Sequence, residues 1–144
     1  MDSLQGNRDL TGNQLDNMKN ASFPSPLLNY KEMGATLELG GKEKVRDREA
    51  VLLIFKPKSG SIVRQYFDAE SYILLRTVAK VEAPQVGELE QTTDLADYRD
   101  VDGVKVPFEV SVTSAFQSYV VKLAKVEHNG QLEEALFSKP AAEK

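Results

Sequence analysis

Residues Val104–Val112 read Val-Lys-Val-Pro-Phe-Glu-Val-Ser-Val, and this pattern decides the fold class. Apolar side chains occupy every even position, while lysine, proline, glutamate and serine occupy the odd positions. A two-residue period is typical of a strand with one apolar face and one polar face. The preceding pair Asp102-Gly103 suits the positive φ angles of a tight hairpin turn. The stretch therefore predicts an antiparallel sheet that reserves one face for apolar contacts.

Other segments between residues 35 and 127 carry the same kind of signal, and turn-forming residues separate them. The seven predicted strands are Ala35–Leu39, Glu49–Lys56, Ile62–Asp68, Tyr72–Glu82, Glu88–Arg99, Val104–Thr113 and Phe116–Glu127. Because most of the connections are short, sequential strands are expected to be neighbours in a meander. The residues thus predict a mainly β (α+β) fold.

Individual strands carry further expectations. In the strand 72–82, alternation predicts that one face carries Ile73, Leu75, Ala79 and Val81, with Arg76 and Lys80 on the other. The strand 88–99 is polar on both faces, which predicts a position at a rim or over open solvent. Pro107 has no N–H to donate, so it is expected at a sheet edge or a bulge.

The N-terminal part differs in composition from the rest. Residues 1–22 are rich in polar side chains, and a thin helical stripe and an irregular segment are equally compatible with them. Ser25-Pro26 has the pattern of an N-cap followed by the first helical position, and Gly34 is a stop signal, so a short helix is predicted over Pro26–Met33. The domain prediction is a polar segment, residues 1–22, followed by one β-sheet domain, residues 23–144.

Composition limits the classes of function. The net charge is −4 among 144 residues and the basic residues are dispersed, which argues against nucleic acid and anionic membrane surfaces as partners. The chain has no cysteine, so thiolate metal sites and cysteine nucleophiles are excluded. No apolar run is long enough to span a bilayer. Residues 1–20 lack the apolar centre of a signal peptide, which leaves a cytosolic protein or a piece of an exported chain.

Few residues suggest chemistry. His128 is the single histidine and is interpreted as a turn residue. Three aspartates between residues 97 and 102 are spaced loosely like calcium ligands but lack a following bidentate glutamate. Asp68 and Glu70 could form a carboxylate pair, although an aspartate in a turn usually caps its own backbone. The residues Ser59-Gly60-Ser61 are interpreted as a turn. No catalytic residue, metal site or cofactor is predicted, and the chain is not expected to be an enzyme.

Four short stretches, taken in order, resemble a known family. They are FKPKSG at 55–60, YFDAES at 66–71, DYRDVDGVKVPF at 97–108 and ALFSKP at 135–140. Together they resemble the C-terminal half of bacterial outer-membrane lipoprotein-sorting-like proteins, the LolA-like group. Two turns depart from that pattern, because Tyr72 stands where the family often has glycine and arginines flank Asp47, where it also often has glycine. The conformation of these two turns is therefore open.

The resemblance implies a strongly curved antiparallel sheet, an incomplete barrel, with helices on its concave side and a periplasmic location. It also implies a lipid or a lipidated protein as the partner. A hollow with apolar walls would gain roughly 0.8 kcal/mol for each buried methylene of such a ligand. The candidate ligand-binding residues are apolar positions of the predicted strands, with the protein core as the alternative role: Tyr66, Ile73, Leu75, Val106, Phe108, Val110, Tyr119 and Val121.

Two functional hypotheses follow. The first is a non-catalytic carrier or sensor of an apolar ligand, and the second is a structural or partner-binding β domain whose open strand edges pair with another protein. An enzyme is the least supported class, because no nucleophile, base or metal constellation is visible. Lipid that co-purifies with the protein would separate the first hypothesis from the second.

Overall fold

The computed structural model describes residues 9–21, 25–83 and 85–138. Its main body is one antiparallel sheet of seven strands, in which every strand pairs with its neighbours in the sequence. The strands are β1 (Thr36–Val45), β2 (Arg48–Lys56), β3 (Val63–Asp68), β4 (Leu74–Ala83), β5 (Gly87–Val101), β6 (Val104–Ser114) and β7 (Ser118–Lys122). The sheet is curved and does not close, which confirms the predicted fold class.

Helices are few and short. The segment Gly12–Asn20 forms α1, and single 3₁₀ turns lie at Pro26–Leu28 and Glu134–Phe137. The Ser25 hydroxyl accepts a hydrogen bond from the N–H of Leu27, as its position before a proline predicts. The predicted helix over Pro26–Met33 is nevertheless wrong, because Asn29, with a φ of −130° and a ψ of +28°, ends the 3₁₀ turn and separate turns follow it. The predicted domain boundary between residues 22 and 23 lies outside the described residues.

The two faces of the sheet have different roles. One face, here called the core face, carries the main cluster of buried side chains: Val45, Ala50, Leu52, Tyr66, Leu75 and Val78. Directly opposed residues of antiparallel strands point to the same side, so the register places Leu52 beside Tyr66 on this face. The opposite face, here called the cavity face, carries Phe55, Val63, Gln65, Thr77, Ala79 and Val81.

A β-bulge in β4 changes the phase of that strand. Tyr66 pairs with Arg76 and Phe67 pairs with Leu74, which leaves Leu75 without a partner on β3. A bulge residue shifts the alternation by one, so Leu75 joins the core face while Ala79 lies on the cavity face. The prediction that Leu75 and Ala79 share one face is therefore wrong.

Strand bounds also differ from the predicted ones. β1 continues to Val45 instead of ending at Leu39, because a bulge at Gly40 and Gly41 lets the ladder resume. At the other edge, β7 is shorter than predicted, since the turn closed by the N–H of Ser114 and the C=O of Gln117 (2.8 Å) takes up residues 115–117. The last ladder contact of this strand joins Leu123 N–H to Phe108 C=O at 2.9 Å.

The polar strand β5 lies inside the sheet, between β4 and β6, so the prediction of a rim position is wrong. Its charged side chains find partners on β4 and, across β4, on β3. Glu90 is 2.7 Å from the guanidinium of Arg64, and Asp94 is 2.6 Å from that of Arg76. These pairs allow polar residues to occupy an inner strand. Pro107 pairs with Tyr98 in the inner strand β6, so it lies neither at a sheet edge nor at a register shift of this ladder; the nearby residue Asp97, with a φ of +50°, is missing from the pairing.

Six described non-glycine residues lie in the left-handed region, and two of them stand in the turns that join β1 to β2 and β3 to β4. Arg46, in the β1–β2 turn, has a φ of +55°, and Tyr72, between β3 and β4, has a φ of +60°. These are the two turns at which the sequence departs from the LolA-like pattern. Their backbone takes the conformation that glycine favours, although the side chains are large.

Candidate functional site

A cavity of about 510 Å³ lies between the N-terminal segment and the cavity face of the sheet. Its surface is mostly apolar. The sheet contributes residues of three successive strands: Phe55, Val63, Gln65, Thr77, Ala79 and Val81. The other wall consists of α1 and the following turn: Asn17, Asn20, Ala21, Ser25 and Pro26. The volume falls within the range of about 300–1,000 Å³ that small-molecule sites of other proteins have.

The register of the sheet explains why these side chains meet. Phe55 pairs with Val63, and Val63 pairs with Ala79, so one row of apolar side chains crosses β2, β3 and β4. The next row along the strands places Gln65 opposite Thr77. Small residues such as Ala79 leave space above the sheet, whereas large side chains at the same positions would fill it.

Polar contacts attach α1 to the loop between β2 and β3. The side-chain amide of Asn17 donates to the Ser61 hydroxyl at 3.1 Å, and its oxygen accepts from the Ser61 N–H at 2.7 Å. The Ser59 hydroxyl donates to Asp16 at 2.5 Å, and its carbonyl accepts from Asn20 at 2.8 Å. None of the α1 residues is buried. Hydrogen bonds to the β2–β3 loop therefore help to hold this wall of the cavity in place.

Gly60 makes this attachment possible. A Cβ atom on Gly60 would lie 2.8 Å from the Asn17 side-chain oxygen and 2.8 Å from the Asn20 side-chain nitrogen. The residue also has a φ of +101°, which side chains disfavour. The turn predicted at Ser59-Gly60-Ser61 is thus also the docking site of α1, a role that the sequence did not reveal.

The eight candidate ligand-binding residues predicted from the sequence do not form one site. Tyr66 and Leu75 belong to the core face. Ile73 is half-buried in the turn before β4, where its carbonyl accepts from the N–H of Asp68 at 2.8 Å. None of the three is among the described residues that line the cavity.

The remaining five candidates lie on β6 and β7, away from the cavity lining. The structure brings Val110 opposite Val121, and Tyr119 opposite Val112. Val106 is half-buried, whereas Tyr119 and Val121 are exposed. Phe108 is only 6% exposed, and the guanidinium carbon of Arg99 lies 4.5 Å from the centre of its ring. The β6 residues therefore have the burial of structural side chains, and the β7 residues face solvent.

The other chemical candidates have ordinary partners. His128 Nδ1 lies 3.3 Å from a carboxylate oxygen of Asp102, at the surface. Asp97 pairs with Arg99 at 2.7 Å, and Asp100 pairs with Lys105 at 3.1 Å. Each of the three aspartates thus pairs with a different side chain. The three carboxylates are therefore not arranged around one ion.

Asp68 caps its own turn. Its Oδ1 atom accepts from the N–H groups of Glu70 at 2.8 Å and Ser71 at 3.1 Å, while its Oδ2 lies 2.5 Å from Arg48. Hydrogen bonds from the N–H groups of Ser71 and Glu70, with the charge of Arg48, lower the pKa of Asp68. The alternative of a carboxylate pair with Glu70 finds no support in this geometry.

Two tyrosines near the sheet centre have altered acidity. Burial, reinforced by the Glu43 carboxylate, raises the pKa of Tyr66. Burial also raises the pKa of Tyr98, whose hydroxyl donates to the carbonyl of Leu74 at 2.6 Å. Both hydroxyls are therefore protonated at neutral pH and act as hydrogen-bond donors.

Within residues 9–21, 25–83 and 85–138, no three histidine, aspartate or glutamate side chains are placed to hold a metal ion. Over the same residues, no helix is long and apolar enough to cross a membrane.

None of the described residues that line the cavity was among the ligand-binding candidates predicted from the sequence, although alternation did place Ala79 and Val81 together on one face of their strand. In β3, the stretch Val63-Arg64-Gln65 does carry a signal for the cavity face, since the two lining residues are uncharged and the residue between them is charged. The contribution of α1 had no such signal, because its contacts depend on asparagine side chains that reach a distant loop.

Comparison of the chain with protein-family models, with curated proteins and with solved structures found no match.

Proposed function

We propose that this chain is a non-catalytic domain that carries or senses a small apolar ligand, held between α1 and the cavity face of the sheet. The observation that carries the proposal is the cavity of about 510 Å³ with mostly apolar walls. Ligand sites of known proteins have volumes of about 300–1,000 Å³ and the same mixture of apolar walls with a few polar groups. An acyl chain that filled the space would gain roughly 0.8 kcal/mol for each buried methylene.

The attachment of α1 supports a site that a ligand can enter. A wall held by hydrogen bonds at the surface opens at a lower cost than a wall packed into the core. The contacts of Asn17 and Asn20 with the β2–β3 loop lie beside the cavity, and both residues line it. Separation of α1 from this loop would expose the apolar row at Phe55, Val63 and Ala79.

The sequence motifs support a proposal for the class of ligand and for the location of the protein in the cell. The four stretches that resemble the LolA-like group, together with a curved and open antiparallel sheet, favour a lipid or a lipidated protein as the ligand and the periplasm as the location. The proposed carrier is therefore a LolA-like domain of an exported protein.

Titration with an uncharged fluorescent lipid, the methyl ester of a fluorescent fatty acid, tests the proposal. Ala79→Leu places a larger side chain in the cavity, and it should weaken probe binding by about tenfold or more while the protein stays folded. Ala115→Leu adds the same volume in the exposed β6–β7 turn and serves as the matched control. Equal binding by both variants, or no binding by the unmodified chain, would contradict the proposal. Organic extraction and mass spectrometry of the purified protein would identify a bound lipid.

The edge strand β7 favours a second function, that of a partner-binding domain. All five of its residues are exposed, with apolar side chains on both faces. The N–H of Leu123 and the C=O of Gln117 point toward β6, so the alternation places the outward-facing backbone groups on Ser118, Val120 and Lys122. An antiparallel strand of another chain can pair with these groups.

A second copy of this chain fits that edge. A two-fold antiparallel register centred on Val120 would place Tyr119 opposite Val121, an aromatic and β-branched pair that stabilises sheets. Sedimentation over a range of concentrations should then detect a dimer. Val120→Pro removes the central outward donor and should abolish the dimer, while Val120→Thr keeps the donor and should retain it. A monomer at every concentration would exclude this partner.

A further inference from the structure

Two polar side chains point into the cavity without a partner. Gln65 on β3 and Thr77 on β4 are directly opposed, so both project from the cavity face at one place. Both line the cavity and both are half-buried. Within the described part of the chain, neither side chain forms a hydrogen bond with another protein group.

The other polar residues of the cavity differ from this pair. The Asn17 amide and the Ser61 hydroxyl bind each other, and the Asn20 amide binds the carbonyl of Ser59. These contacts have a structural role, because they attach α1. Gln65 and Thr77 have no such role, although valine and leucine at these positions would suit an apolar wall better. Polar groups left free in an otherwise apolar site are the groups that orient a ligand.

The donor and acceptor properties of the pair define what it can bind. A glutamine amide offers two donors and one acceptor, and a threonine hydroxyl rotates to donate or accept. The row of opposed residues across β2 to β5 reads Leu53, Gln65, Thr77 and Thr93, without a charge. The cation among the lining residues, Lys80, has an exposed side chain 3.9 Å from Glu88. An uncharged group therefore fits the pair, since a buried carboxylate would lack a counter-charge there.

We infer that the ligand of this cavity is an apolar molecule with one uncharged carbonyl or hydroxyl group, which binds between Gln65 and Thr77. The inference rests on the proposed function and specifies its ligand class. The apolar part of the molecule contacts Phe55, Val63 and Ala79, in the neighbouring row. Esters, amides and alcohols with a long alkyl chain have this chemistry.

Displacement of a fluorescent probe by ligands of equal chain length tests the inference. The ligands are an alkane, an alcohol, a monoacylglycerol, an N-acylated peptide amide and a carboxylate. The unmodified protein should bind the alcohol, the ester and the amide about tenfold more tightly than the alkane, which is the contribution of about one good hydrogen bond. The ester and the amide distinguish a lipid from a lipidated peptide as the source of the same group.

Variants of similar size separate the polar pair from the rest of the cavity. Gln65→Leu and Thr77→Val should remove the preference for the uncharged polar ligands and leave alkane binding intact. Thr93→Val, the next residue of the same row, lies outside the described lining and should keep the preference. Equal binding of all ligands by the unmodified protein, or tightest binding of the carboxylate, would overturn this inference and leave the proposed function standing. Failure of every ligand to displace the probe, or of the probe to bind, would overturn both.

Discussion

Tyr72 shows how much strain a single residue can introduce at an exposed turn. Its φ is +60°, its side chain is 76% exposed, and its N–H donates to the carbonyl of Asp68 at 2.9 Å. The turn thus requires a left-handed backbone and gains little from the tyrosine ring. A left-handed conformation costs a side-chain-bearing residue about 1–2 kcal/mol.

Replacement of Tyr72 by glycine should therefore stabilise the protein. Relief of the strain, less the larger entropy of glycine in the unfolded chain, predicts a gain of about 0.5–1 kcal/mol in the free energy of unfolding. Chemical denaturation followed by circular dichroism measures it. Tyr72→Ala keeps the Cβ atom and the strain, so a gain of the same size in this variant would contradict the explanation.

Phe108 and Glu109 are neighbours with opposite environments. Phe108 is buried beneath the guanidinium of Arg99, while Glu109 forms a surface ion pair with Lys122 at 3.4 Å. Phe108→Ala should lower the free energy of unfolding by about 3–5 kcal/mol, because it removes a buried ring and leaves a void. Glu109→Ala should cost about 0.5 kcal/mol or less.

Denaturant midpoints of the two variants measure this contrast. Since Phe108 is not among the described residues that line the cavity, its replacement should leave probe affinity unchanged in the folded protein. Equal losses of stability at positions 108 and 109 would show that the assignment of the two faces of β6 is wrong.

At the scale of elements, α1 depends on the sheet for its stability. A helix of nine residues is too short to persist alone in water. The described contacts that attach α1 to the β2–β3 loop and to Glu82 are hydrogen bonds. The helix can therefore unfold or move without disruption of the main buried cluster.

Asn17→Ala tests this independence. Loss of both contacts with Ser61 should speed hydrogen exchange of the α1 amides by about tenfold, as expected for about 1–2 kcal/mol of lost local stability, while the strand amides stay protected. Gly60→Ala should act in the same way, because its Cβ would lie 2.8 Å from the Asn17 oxygen. Lys19→Ala, at an exposed position of the same helix, is the control. Faster exchange throughout β2 to β4 would contradict an independent helix.

The free energy of unfolding of the whole molecule is expected to fall at acid pH because Asp68 becomes protonated. This carboxylate is 2% exposed, and its pKa is lower in the folded protein than the ordinary value near 3.8. The fold therefore stabilises the charged form. That contribution is complete above the pKa of the unfolded state and is lost as the pH falls through the lower pKa of the folded state.

Asp68→Asn should reduce stability at neutral pH, since the amide cannot bind Arg48 as a carboxylate does. The difference between the two proteins should narrow as the pH falls below about 4. Unfolding curves across a pH series measure this difference. A stability difference that stays constant with pH would show that the charge of Asp68 does not contribute to the free energy of unfolding.

The strands and their order could be predicted from the sequence because the signals for them are local. The turn at Asp102-Gly103 and the alternation of Val104–Val112 each specify structure within a few residues. The bulge at Leu75 could not be predicted, since the unpaired residue is defined by the pairing with β3 and not by its own type. The cavity was missed for a related reason, because contacts such as Asn17 with Ser61 join residues 44 positions apart.

The bulge at Leu75 has a consequence for changes in chain length. Tyr66 and Phe67 already pair with residues on either side of Leu75, so deletion of this one residue would leave every pair between β3 and β4 unchanged. A deletion at any later position of β4 would instead shift the alternation of the residues N-terminal to it, and would turn residues such as Arg76 toward the cavity face. The β3–β4 hairpin therefore tolerates the deletion of one residue at the bulge. A deletion elsewhere in β4 would move side chains from the core face to the cavity face and the reverse.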